Sequence, residues 1–178
     1  MRVDPALLKN LMTGAGSSSQ FMGGVVVALL YLVIGLLSAI GSILVFQRIF
    51  QGRWEQIFWA SFLVVIAGFY LSFAAYFEAP TDAWRTELTA VVVFVTFAAV
   101  GLVFRPAIAV GYVLHGLWDL FHGLVGTSLT GEALTQIPLG YDIFCATYDF
   151  TVACYLMISD TAWHVPGKFD LFFWRHLP

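Results

Sequence analysis

Residues 23–46 read GGVVVALLYLVIGLLSAIGSILVF and carry no charge anywhere along the run. A bilayer core of about 30 Å takes roughly 20 apolar residues of helix, so this stretch is long enough to cross it. Its unbroken apolar runs, such as Val25 to Leu30, lack the period-two alternation of a membrane β-strand. Helix is the reading that fits. Comparable segments follow at 57–77, 88–104, 106–125 and 138–159, the fourth opening on Pro106, a favoured first-turn residue. The expected fold is all-α, a polytopic membrane bundle of five transmembrane helices spanning 23–159.

Composition says the same. Of 178 residues, 60% are hydrophobic, 17% aromatic and 11% charged, with a mean hydropathy of +0.87. A soluble domain carries about a quarter charged residues, so the polar surface here is too small to cover a core. Disorder and a disulfide-stapled secreted domain are excluded on the same grounds. A net charge of -3 leaves no basic surface, and nucleic acid is not an expected partner. Cys145 and Cys154 would face opposite sides of one helix and cannot bridge each other there.

Outside the spans, residues 1–22 lack the apolar stretch of a cleavable signal. Asp4-Pro5 reads as a helix start, and Ala6 to Met12 as a short interfacial helix before the Gly-Ser-rich run at 14–19. The tail at 160–178 mixes Phe169, Phe172, Phe173 and Trp174 with Lys168 and Arg175, which suits the membrane interface. With the N-terminus outside, the inner segments hold Arg48, Arg53, Arg105, Lys168 and Arg175, against Arg2, Lys9 and Arg85 outside. That balance favours a cytoplasmic C-terminus.

Ionisable residues inside a span cost several kcal/mol, on scales that begin at about 3, so each needs a reason. The fourth segment carries His115, Trp118, Asp119 and His122. On a helix Asp119 lies roughly 40° from His115, and His122 roughly 20° to the other side, so all three share one stripe. The stripe is expected to face the bundle interior. Asp149, near mid-membrane in the fifth segment, is the acid placed to meet it. His115, Asp119, His122 and Asp149 have the ligand types for zinc or iron. A closed hydrogen-bond network would neutralise the same groups. Ser72 and Glu87 are candidates to orient water or substrate, with Asp149 as a base, and Glu87 could equally be a solvated boundary charge. Tyr70, Asp142 and Cys145 read as ordinary interhelical contacts, as does Ser72 in the alternative, and Glu78 as a solvated loop charge.

The stretch from about Ile66 to Leu156 resembles a family of small bacterial membrane proteins that carries a domain of unknown function. Its His-x-x-x-Asp-x-x-His-His run is matched by His115, Asp119 and His122, with Trp118 before the acid and Gly111-Tyr112 ahead. Cys145 and Asp149 follow as Cys-x-x-x-Asp, and Tyr70-Leu71-Ser72 and Glu87 are weaker matches. The sequence departs at Gly123, where the last His would stand. The resemblance implies a bacterial inner-membrane location and brings no assigned activity with it. In site chemistry alone, the Ser, Asp and His set is similar to the alkaline-ceramidase and adiponectin-receptor superfamily of zinc hydrolases.

Two functions follow from the residues. One is a metal-dependent membrane enzyme, a hydrolase or oxidase acting on a lipid or other apolar substrate. The other is a non-catalytic accessory subunit of a larger membrane complex, associated with a pigment or quinone. Membrane lipids are partners in both, and other membrane subunits in the second.

Overall fold

The computed structural model describes residues 5–126 and 134–163, with side chains over 21–125 and 134–159. Five helices follow one another: α1 (Pro5–Ile49), α2 (Arg53–Tyr76), α3 (Thr81–Gly101), α4 (Pro106–Gly126) and α5 (Tyr141–Trp163), with no strand among the described residues. Four are long and apolar enough to cross a membrane, over Phe21–Ile49, Arg53–Tyr76, Thr81–Gly101 and Pro106–Val125. The fifth expected span, α5, is not among them. It carries Asp142 and Asp149 together with several Tyr and Thr residues.

Two boundaries differ from the sequence reading. The short helix expected over 6–12 is the start of α1, which runs on through the Gly-Ser residues. Those residues weaken a helix by at most about 1 kcal/mol each, and no proline follows Pro5 to break the hydrogen-bond ladder. Helix α3 begins at Thr81, seven residues before the first apolar run, because Ala83 and Glu87 are both buried and share a face at i, i+4 spacing. The aromatic tail at 164–178 and the loop at 127–133 lie outside the described residues.

Helix α5 packs between α1 and α4, while α2 and α3 pack on each other and on α4. Glycines set the close approaches. A Cβ at Gly116 would press on the Phe150 ring and the Asp149 Cβ, and one at Gly123 would overlap the Asp142 carboxylate. Gly35 brings α1 against the Phe144 carbonyl of α5. Ahead of α5, Gly140 takes φ +73° and lies under the Tyr31 ring, where a side chain would be both strained and obstructed.

The bundle has an apolar half and a polar half. In the first, Trp59, Leu63, Ile108, Tyr112, Val152 and their neighbours form a continuous core. Phe46 of α1 packs there on Phe58 of α2 with the rings tilted, ring centres 4.0 Å apart. The α1 face beyond this contact, including Leu29, Val33 and Leu37, is exposed. The second half holds the buried His and carboxylate residues.

Candidate metal centre

Small residues on α4 bring α5 close, and the α4 stripe turns inward. His115 and Asp119 are 0% exposed and His122 is 2% exposed, as a desolvated stripe requires. From α5, the Asp149 Oδ2 lies 2.6 Å from His115 Nδ1. Asp119 Oδ2 stands 3.3 Å from the same nitrogen. From α2, the Tyr70 hydroxyl donates to Asp119 Oδ1. One ligand atom each from His115, Asp119 and Asp149 lies within 4.8 Å of the other two.

This group leaves lone pairs without partners. With the shared proton on Nδ1, His115 Nε2 is a bare acceptor, and it is buried with no hydrogen bond, as is Asp119 Oδ2. Zinc binds His nitrogen and carboxylate oxygen at about 2.0–2.2 Å, which puts tetrahedral donors roughly 3.3 Å apart. Asp119 Oδ2 stands at that spacing from Nδ1, so a metal bound there would replace the proton that Nδ1 shares with Asp149, and Asp149 Oδ2 would move out by well under 1 Å. Charge points the same way. With both acids ionised, two carboxylates and one imidazole are negative in sum even when the ring is protonated. Among the described residues their ion pairs are with His115 alone. A buried charge without compensation is costly, and a divalent cation compensates this one.

His122 does not join the group of three. Its Nδ1 donates to the Trp118 carbonyl at 3.1 Å, and its Nε2 lies 2.8 Å from Glu87 Oε1. The Thr135 backbone N–H also donates to Glu87 Oε1, while Glu87 Oε2 has no partner. Glu87 is therefore a buried partner of His122 and not a solvated boundary charge. Tyr70 links the two clusters: its hydroxyl reaches Asp119, and its ring centre lies 4.5 Å from that of His122.

Ser72 is placed elsewhere, on the exposed side of α2. Two residues on a helix span about 200°, so Ser72 and Tyr70 cannot face the same site. Sequence reasoning placed both among interhelical contacts and kept only Ser72 as a candidate to orient water or substrate. The missed signal is the buried stripe Leu63, Ile66, Ala67, Tyr70 and Ala74, whose helical spacing includes Tyr70 and excludes Ser72. Cys145 is buried, Cys154 is exposed, and both are free thiols. Asp142 packs against Gly123 of α4.

The family model for DUF6010, a family of unknown function, matches residues 30–162. The chain belongs to this family. The match takes in the C-terminal part of α1 as well as α2 to α5, so DUF6010 reaches further than the stretch from Ile66 to Leu156. No curated protein and no solved structure matches the chain. For this DUF6010 member, function has to be argued from the geometry of its own residues.

Proposed function

We propose that this protein is a metal-dependent membrane enzyme, with His115, Asp119 and Asp149 holding one zinc or iron ion. The observation that carries the reading is the convergence of three buried residues, His115, Asp119 and Asp149, with one ligand atom each within 4.8 Å of the others and Asp119 Oδ2 making no hydrogen bond. Three protein donors also match catalytic sites, which leave a position for water or substrate, better than structural sites, which use four. A bound metal would supply Lewis acidity and an activated water, or an iron centre for oxidation.

The protein's own residues would do the rest. Tyr70 fixes the Asp119 carboxylate, and Phe94 packs edge-on against His115 with ring centres 4.8 Å apart, excluding water from that side. The Glu87–His122 pair holds the neighbouring wall. Ser72 has no part in the chemistry. In this reading α5 completes a fifth span with its acids turned inward, and the N-terminus lies outside a bacterial inner membrane. The substrate is a lipid or another apolar molecule.

Elemental analysis of the protein, purified in mild detergent without chelator, tests this directly. The expected result is about one zinc or iron per chain. A metal-free protein would overturn the reading. If it also retained partner subunits, the accessory-subunit reading would take its place, and the exposed apolar face of α1 is the surface such subunits would use.

A further inference from the structure

Two openings approach the buried His residues, and they differ in what they reach. Between α3 and α4 lies a groove of about 530 Å³ lined by Arg85, Val93, Phe94 and Trp118. Phe94 and Trp118 are also the rings packed on His115 and His122, so this groove ends on a wall. Between α2 and α5 a smaller slot of about 140 Å³ includes His115 and Asp149 themselves in its lining, with Cys145 beside them. Its remaining walls include Phe62, Ile66, Phe69 and Phe144. Phe69 is 44% exposed on the outer face of α2, so the slot borders the side where lipid would stand.

We infer that this slot takes the end of a single hydrocarbon chain from within the membrane and presents a neutral polar group on that end to His115 and Asp149. Size comes first. An apolar cavity of about 150 Å³ holds benzene, so this slot has room for about six carbons. A tetrapyrrole, a quinone ring with its substituents or the body of a two-chain lipid is too large. Phe62, Ile66, Phe69 and Phe144 suit methylene groups, and Tyr141, whose buried hydroxyl makes no hydrogen bond, adds a neutral donor for a polar group but no cation for a charged headgroup. Asp149 and Asp119 repel a carboxylate or phosphate, and a divalent cation would cancel their charge without reversing it. An alcohol, aldehyde, ester or amide on a long chain meets all three conditions. This inference takes the reacting centre from the metal-enzyme reading, but the binding it describes does not require the metal.

The test uses a long-chain primary alcohol carrying a photoreactive diazirine within its first six carbons. The probe is irradiated with the full-length protein in bilayer vesicles, and adducts are located by mass spectrometry. Adducts on Phe69, Phe144 or Cys145 should exceed those on lipid-facing Leu29, Val33 and Leu37 by about tenfold, equivalent to about 1.4 kcal/mol of preference. Ile66→Trp, which fills the slot, should remove that excess and leave α1 labelling unchanged. Phe69→Trp, at an exposed position, narrows the opening and should do the same if the first variant does not fold. The matching fatty acid should label the slot about tenfold less than the alcohol. Even labelling across all exposed apolar residues, or an excess that survives both variants, would overturn the inference. Equal labelling by the acid would overturn the neutral-group requirement. Slot labelling that persists in chelator-treated protein separates this result from the fate of the metal reading.

Discussion

Polar residues are buried at both ends of the bundle, but they are used differently. In the apolar half, Gln56 Nε2 donates to the Gly101 carbonyl at 2.6 Å, and Arg53 Nη1 donates to the Leu102 carbonyl at 2.6 Å. These carbonyls close α3, where a helix runs out of its own donors. The Tyr155 hydroxyl donates to Glu55. Arg53 is exposed, and the buried Glu55 and Gln56 leave no buried atom without a hydrogen bond. In the polar half, His115 Nε2, Asp119 Oδ2 and Glu87 Oε2 all lack partners. An unpaired indole N–H occurs in each half, at Trp59 and Trp118, so a lone orphaned donor does not distinguish them. Three unpaired acceptors on neighbouring ionisable residues do. Side chains that join helices saturate one another, whereas those around His115 keep lone pairs that a cation would satisfy.

The largest effect expected from this contrast is on stability. His122→Ala would leave the Glu87 carboxylate buried without its partner, at a cost of about 3–5 kcal/mol. Thermal unfolding in detergent should show the loss, with metal content per folded chain unchanged. A variant that folds normally but loses its metal would mean that His122 and the His115 group form one site.

A matched pair of substitutions sharpens the comparison. Tyr70→Phe removes a hydrogen bond to a carboxylate, worth about 1.5–3 kcal/mol, and should also weaken metal binding by about tenfold. Gln56→Ala strips the Gly101 carbonyl of its donor at a similar cost, about 1–3 kcal/mol, and should leave metal affinity unchanged. Equal effects on the metal would erase the distinction between the two ends. The smallest effect belongs to Ser72→Ala, whose exposed position predicts a change within about ±0.5 kcal/mol in stability and none in metal binding.

How much of this was legible in the sequence depends on which side chains meet. The helices were legible because apolar runs of membrane length mark themselves, and the α4 stripe because His115, Asp119 and His122 recur at helical spacing. The proximity of Asp149 and His115 followed from depth and desolvation cost, and the 2.6 Å contact agrees with it. The start of α3 was hidden because Thr81, Asp82 and Arg85 look like a loop until Ala83 and Glu87 are seen packed inside. The division into two clusters was hidden as well. Glu87 captures His122 with the help of the Thr135 amide, a backbone donor from a connection that periodicity does not describe. Ser72 and Tyr70 read alike as possible interhelical contacts, and it is the helix face, with Tyr70 buried and Ser72 exposed, that separates them.

The central claim is that His115, Asp119 and Asp149 bind a metal ion as a unit. The most direct measurement is metal affinity in detergent, by competition with a chelator of known strength, for the wild-type protein, Asp149→Asn and the control Gln56→Ala. The expected result is tight binding of one ion by the wild type and Gln56→Ala, and a loss of about 10–100-fold in Asp149→Asn. Equal affinity in all three proteins, or no binding by the wild type, would contradict the claim.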